Sequence, residues 1–371
     1  MAGRPMDRGA AWAVHKSFHP RRRAAPVRVR GETEDGTKMT PSPPTAPDAA
    51  RAPDDAFEKD TEQLRRELLV FGDSLSDVGN ARAVLGDGAF PCPPHWNNRR
   101  CDGPLWVDHL AAELGLPPLL PSLAGGNNHA FGGARSGTGT TRKGLPNLLM
   151  QVAGVAGEGG SDGRDLELPG PGPLVVVRAG ANDYLDGPPS PATADAENRH
   201  LLVAVNALAD RGLRHFLVPS ELPWGFCPIT LPGVGEPERQ AVNALIARQN
   251  RALREALEEL AARRGLVVLQ PDFHGLFLEI QAEPEALGFR ELSRPVLGAW
   301  GEGVREVNGR LAVPDAQGFL WWDSWGHLTS AFHRLLAGIV LTTITLGSTN
   351  RDGGSRKPLE PLPAEARARE P

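Results

Sequence analysis

Four short apolar runs, Leu68–Phe71, Leu174–Val177, Arg214–Val218 and Leu266–Leu269, alternate along this chain with helical patterns. Each has the length and the β-branched or aromatic content of a buried strand rather than a helix. A shorter stretch around His129–Phe131 reads as a further strand. Trp106–Leu114, Leu145–Val155, Ala196–Ala209, Glu236–Arg264 and Leu328–Leu341 carry apolar residues at helical spacing. The first of these stops at Gly115, ahead of Pro117 and Pro118. In Glu236–Arg264 the residues Val242, Leu245, Ile246, Leu253, Leu257 and Leu260 form one stripe, read as core packing. Short strands alternating with helices predict an α/β fold: a parallel sheet with helices on both faces. In such sheets ligands bind outside the carboxyl ends of the strands.

With 371 residues, 40% of them hydrophobic, the chain suits one large domain with flexible ends. Residues 1–62 are rich in Arg and Pro and lack apolar periodicity, so a disordered leader is expected there. Its Arg21-Arg22-Arg23 run reads as part of a solvated tail. A targeting leader, a contact arm for an acidic surface and an upstream extension are the alternatives. The folded domain is expected over 63–346 and a second disordered tail over 347–371. The net charge of −5 carries no nucleic-acid footprint, and no apolar run spans a bilayer. No signal-peptide core precedes Phe71, so a cytoplasmic location is the default, with secretion left open if the start is misassigned. Of the three cysteines, Cys92 and Cys101 are near enough in sequence to bridge, but unpaired thiols are the favoured reading. No Cys/His cluster has metal-ligand spacing, and Gly132–Gly139 lacks the lysine of a phosphate loop. No metal or cofactor is expected.

The first apolar run leads into Gly72-Asp73-Ser74. Glycine permits a sharp turn after a strand, and a serine there lies where backbone N–H groups can hold a developing oxyanion. The plainer reading is a helix cap after a core strand. Three further segments bear on that choice: Asn128-His129-Ala130-Phe131-Gly132-Gly133-Ala134, Ala179-Gly180-Ala181-Asn182-Asp183-Tyr184, and Trp322-Asp323-Ser324-Trp325-Gly326-His327-Leu328-Thr329. Ser74 and Asn182 each follow a strand, at the end where ligands bind.

In order and character these segments resemble the conserved blocks of the GDSL, or SGNH, serine hydrolases, nearest to the lecithinase/hemolysin-like and lecithin:cholesterol acyltransferase-like branch. Arg100-Cys101-Asp102-Gly103-Pro104-Leu105-Trp106-Val107 resembles a further family segment, and the likeness covers roughly residues 65 to 343. The resemblance implies a three-layer flavodoxin-like fold with a five-stranded parallel sheet. It implies a serine esterase or lipase that hydrolyses acyl esters through an acyl-enzyme on Ser74. A carbohydrate O-acetylesterase or an acyltransferase on the same site is the alternative. A catalytically weak scaffold that binds a lipid, glycan or protein is the rival from another class. The expected partner is a small-molecule or lipid ester, with no nucleic acid, and a monomer is expected.

A serine hydroxyl needs a neighbouring base. His327 matches the family's histidine, while His129 and His274, single histidines in apolar segments, read as structural and His333 as a helix residue. Asp323 is the natural partner of His327. The family spacing is Asp-x-x-His, whereas Asp323 and His327 are separated by one residue more, which a bulge at Gly326 is expected to absorb. Asp315 is the second candidate, and a Ser–His dyad the third. The resemblance places Ser74, Gly133 and Asn182 in the oxyanion hole, with Gly132 the alternative glycine. Asp73 and Asp183 read as supporting hydrogen bonders. Tyr184 reads equally as pocket lining or as packing. The Pro-rich loop Gly86–Cys101, with Trp96, is expected to shape the pocket rim.

Overall fold

The computed structural model describes residues 67–86, 92–156, 172–185, 189–228, 234–297, 306–307, 310–311 and 315–349. The expected leader, residues 1–62, lies outside them, as does the tail from residue 350. All described residues belong to one compact unit, Arg51–Pro371.

The elements in chain order are β1 (Leu68–Gly72), α1 (Asn80–Leu85), α2 (Trp106–Glu113), α3 (Leu148–Ala156), β2 (Leu174–Arg178), α4 (Ala181–Leu185) and α5 (Pro191–Asp210). They continue with β3 (His215–Leu217), α6 (Glu236–Arg264), β4 (Val267–Leu269), α7 (Phe273–Ala282), β5 (Glu306–Val307), β6 (Arg310–Leu311) and α8 (Ser330–Thr349). β1 to β4 form a parallel sheet in that order, with Val70 opposite Val176, Val176 opposite Leu217 and Leu217 opposite Leu269. β5 and β6 pair antiparallel as a separate hairpin.

The alternation of side chains along a strand sorts the core into two layers. Leu68, Val70, Leu174, Val176 and Leu217 face α2, α7 and α8, where Trp106, Leu110, Phe273, Phe277, Phe332 and Leu336 meet them. Leu69, Phe71, Val175, Val177 and Phe216 face α3, α5 and α6, against Leu148, Val152, Val205, Leu208, Leu253 and Leu257. Burying each such side chain is worth about 1.5–3 kcal/mol. The three-layer α/β architecture follows from that two-sided burial.

The expected fifth strand needs correction, since among the described residues the sheet has four. The chain does run beside the free edge of β1. Val70 N–H donates to Asn127 O (2.9 Å), His129 N–H to Val70 O (2.7 Å) and Phe131 N–H to Gly72 O (3.1 Å). The ladder bond that would come next, from Gly72 N–H to His129 O, is not made, because Gly72 N–H donates to Gln151 Oε1 instead. The Gly132-Gly133 turn then leads the chain away.

At the end of β1 a Cβ on Gly72 would lie 2.3 Å from the carbonyl oxygen of Arg178, so only glycine lets β1 and β2 approach this closely. The side-chain amide of Gln151 both accepts from Gly72 N–H (3.0 Å) and donates to Gly72 O (2.9 Å). The strand end that carries the next two residues is thereby fixed from both sides.

Candidate active site

Ser74 opens the turn after β1, and the residues around it hold that turn rigidly. Asp73 is fully buried; its Oδ1 accepts Leu75 N–H (3.0 Å), and both oxygens accept from Arg178 Nη1 (2.9 and 2.8 Å). The other arm of the guanidinium donates to Glu221 Oε1 (2.8 Å), which also receives Trp224 Nε1–H (2.8 Å). A charge this deeply buried is tolerated only when it is paired and hydrogen-bonded. Arg178 supplies that pairing for Asp73, at the end of an otherwise aliphatic strand.

His327 is brought to Ser74 by the segment ahead of α8. Its Nε2 stands 3.0 Å from Ser74 Oγ, and its Nδ1 stands 2.8 and 2.7 Å from the two oxygens of Asp323. An ionised carboxylate only accepts, so Nδ1 carries the proton and Nε2 is left as the acceptor for the serine hydroxyl. Burial by itself would raise the Asp323 carboxyl. His327 and Arg100 outweigh it, so the group lies below its ordinary range and stays ionised.

The extra residue between Asp323 and His327 is absorbed within a closed turn. Trp322 N–H donates to His327 O (2.8 Å), and Gly326 N–H to Asp323 O (3.2 Å). Asp323 Oδ1 also accepts the N–H groups of Trp325 (3.0 Å) and His327 (3.2 Å). Gly326 sits at φ +94°, and a Cβ there would come within 2.4 Å of Cys227 Sγ. Gly326 thus takes the left-handed step that the longer spacing demands.

The segment of residues 100–107 braces the same turn. Asp102 Oδ1 accepts Ser330 N–H (2.8 Å) at the start of α8, a carboxylate at a helix N-terminus. Ser330 Oγ–H donates to Pro104 O (2.8 Å) and Cys101 Sγ–H to Leu328 O (3.4 Å). No disulfide joins Cys92, Cys101 and Cys227.

The loop of residues 132–136 comes up to Ser74, and α4 is tied to that loop. Asp77 Oδ2 accepts Gly132 N–H (2.8 Å), while its Oδ1 takes the N–H groups of Gly79 (2.8 Å) and Asn80 (2.7 Å). A Cβ on Gly132 would lie 3.8 Å from that of Ser74. Gly132 N–H is therefore occupied, and among the described residues no acceptor meets Gly133 N–H or Ser74 N–H. Asn182, in α4, donates from Nδ2 to Ala134 O (2.9 Å), which ties it to the Gly133 loop and leaves its second amide proton for another acceptor. Asp183 clamps the same loop, accepting Ser136 N–H (2.8 Å) and Ser136 Oγ–H (3.0 Å). Burial raises the Asp183 carboxyl, and the Ser136 hydrogen bonds oppose that rise. Replacing Asn182 with Ala is expected to lower kcat by about 10²–10³-fold, the effect of one lost oxyanion donor. Steady-state kinetics on the folded variant check it, and KM should move far less.

The remaining candidates fall elsewhere. His129 stacks on Phe71 with ring centroids 5.2 Å apart, and burial lowers it to about 4, which keeps it neutral. His274 lies in α7, and its backbone N–H donates to Ser220 Oγ (3.0 Å). His333 is wholly buried in α8, with no hydrogen-bond partner at either ring nitrogen among the described residues. Asp315 is exposed and accepts Gln317 N–H (2.9 Å). Tyr184 is packing, its hydroxyl bonded to Gln249 in the core. Arg178, Asp77, Ser136 and Gln151 are the supports that sequence reasoning missed. Their pairing across long stretches of chain left no local pattern to read. Among the described residues no group of three His, Cys, Asp or Glu side chains can hold a metal ion, and no helix is long and apolar enough to cross a membrane.

The sequence profile of the GDSL-like Lipase/Acylhydrolase family matches residues 68–340. A GDSL esterase/lipase of Arabidopsis thaliana is 24% identical over 338 residues, covering 75% of this chain and 84% of the relative. Acetylajmalan esterase 2 of Rauvolfia serpentina is 24% identical over 335 residues, covering 75% and 90%. Among solved structures, an acetyl xylan esterase from Geobacillus stearothermophilus aligns at 14% identity and a TM-score of 0.38, covering 75% of this chain and 94% of that one.

Proposed function

This chain belongs to the GDSL-like lipase/acylhydrolase family and is an ester-hydrolysing enzyme, and we propose that it works through an acyl-enzyme on Ser74. The observation that carries this reading is the continuous relay from Ser74 Oγ to His327 Nε2 at 3.0 Å and from His327 Nδ1 to Asp323 at 2.7 Å.

Ser74 Oγ attacks the ester carbonyl carbon while its proton passes to His327 Nε2. Asp323 keeps the imidazole in the required tautomer and stabilises the imidazolium as it forms. Charge developing on the carbonyl oxygen meets the N–H groups of Ser74 and Gly133 and the free amide proton of Asn182. These donors are already oriented, by Asp77, Asp183 and the Ala134 carbonyl, so little reorganisation is needed as the charge appears. The tetrahedral intermediate collapses by breaking the C–O bond to the alcohol, which takes the proton from His327. Water then attacks the acyl carbon, His327 accepts its proton and returns it to the departing Ser74 oxygen, and the acid is released.

The substrate is a small-molecule or lipid carboxylic ester. The test is a series of p-nitrophenyl esters from acetate to palmitate, assayed with the full-length chain. Hydrolysis well above the buffer rate on at least one ester is expected, and the chain-length profile then sorts an acetyl-preferring from a lipase-like site. A folded enzyme inert on every ester would contradict the reading.

A further inference from the structure

One cavity of this protein lies away from Ser74. It opens between α1, α2 and residues 96–99, with a volume of about 730 Å³, and none of Ser74, Gly133, Asn182, Asp323 or His327 lines it. That volume is within the range of small-ligand sites, roughly 300–1,000 Å³.

Its walls are mainly apolar, with Ala83 from α1, Ala112 from α2, and Leu116 and Leu120 beyond α2. Apolar surface also gathers around the cavity. Two of its lining residues are large and exposed, Trp96 at 38% and Leu120 at 55%. A grouping of this kind marks a binding surface more often than scattered exposed residues do.

The charged lining is two arginines, Arg82 and Arg99, against one carboxylate, Asp108. Arg99 is fixed in place: Nε and Nη2 donate to Asp108 (3.1 and 2.7 Å), and Nη1 donates to Val78 O (3.1 Å) and Asn97 O (2.8 Å). Its guanidinium carbon lies 5.1 Å from the centroid of the Trp96 ring, a cation–π contact that holds the indole as a wall. The site is therefore built before any ligand arrives, which lowers the ordering cost of binding. An apolar trough with a net positive lining fits a molecule having an apolar tail and an anionic head.

We propose that this cavity binds an amphiphile with a carboxylate or phosphate head, at a site separate from the one that performs ester hydrolysis. The tail lies along Ala83, Ala112, Leu116 and Leu120, and the head is drawn to the Arg82 side. Guanidinium groups suit both kinds of head.

Calorimetric titration of the full-length protein tests this, with dodecanoate, dodecyl phosphate, dodecanol and dodecyltrimethylammonium below their micelle concentrations. Saturable binding of at least one anionic amphiphile is expected, and the tighter of the two identifies the head. The ammonium compound should bind at least about tenfold more weakly, a difference of about 1.4 kcal/mol. Arg82→Gln should weaken the anion to a similar degree. The double variant Ala83→Phe/Ala112→Phe, both positions being exposed, should lose binding while keeping its circular dichroism and thermal midpoint. Undiminished binding in that folded variant would place the amphiphile elsewhere and overturn the proposal. So would equal affinity for the ammonium compound, or no saturable binding of either anion. Binding is read without turnover, so the result stands apart from the chemistry assigned to Ser74.

Discussion

Ser74→Ala and His327→Ala are each expected to lower kcat for ester hydrolysis by about 10⁶-fold, with KM far less affected. In the proposed reaction Ser74 Oγ supplies the bond-forming atom, and His327 Nε2, 3.0 Å away, is the base in contact with it. Without the imidazole the hydroxyl is a poor nucleophile at neutral pH, and without the hydroxyl the imidazole has nothing to activate. The two losses should therefore not add. The Ser74→Ala/His327→Ala double variant should be about as slow as either single one, because the residues act as one unit. Steady-state kinetics on the three variants check this. A double loss near the product of the single losses would mean that the two side chains act independently. The residual rate over buffer should come from the oxyanion donors and substrate binding, which these substitutions leave in place.

Asp323→Asn is expected to lower kcat by about 10⁴-fold. The substitution keeps the side chain's shape, so Oδ1 can still receive the N–H groups of Trp325 and His327 that close the turn. What it removes is the negative charge facing His327 Nδ1 and the strict preference for the Nδ1–H tautomer. Asp323 lies below its ordinary carboxyl range in the folded protein, so a carboxylate is what the imidazolium meets. An unchanged thermal midpoint with a large fall in kcat would separate this electrostatic role from a merely structural one. A loss below about tenfold would favour a Ser–His dyad, with the closed turn serving only to place the histidine.

The parts of this protein legible in the sequence are those whose signal is local. The four strands of the sheet stood out because β1, β2 and β3 are buried on both faces and read as continuous apolar runs, and the half-buried β4 is as aliphatic. The long helix Glu236–Arg264 was equally legible, since its acidic first turn, basic last turn and Gly265 cap all lie in the sequence. The last helix runs on to Thr349 rather than stopping near Leu341. Threonines discourage helix in isolation, but here the hydroxyls of Thr342, Thr343 and Thr345 donate to the carbonyls of Gly338, Ile339 and Leu341 within the helix. The edge segment around His129–Phe131 was read as a further strand because its apolar residues resemble one, whereas the Gln151 side chain takes the Gly72 N–H that the next ladder bond would use.

The same division holds at the site. Ser74, Gly133, Asn182, Asp323 and His327 could be nominated from short motifs, and the structure brings the Asp, His and Ser side chains within hydrogen-bonding distance of one another. The family motif already favoured Gly133 over Gly132. What the motif did not show is that Asp77 takes the Gly132 N–H, a contact between residues 55 apart in sequence. Arg178 lies just past the expected strand Leu174–Val177 and was given no role, because its ion pairs with Asp73 and Glu221 exist only once three strand ends lie together.

The central claim is that Ser74 is the nucleophile of a histidine-activated acyl-enzyme, and a fluorophosphonate labelling experiment tests it most directly. Intact-mass and peptide analysis of the wild-type protein should find one phosphonyl group, on Ser74. The adduct should be absent from Ser74→Ala and form orders of magnitude more slowly in His327→Ala. A wild-type protein that hydrolyses esters yet carries no label on Ser74, or carries it on another residue, would contradict the account.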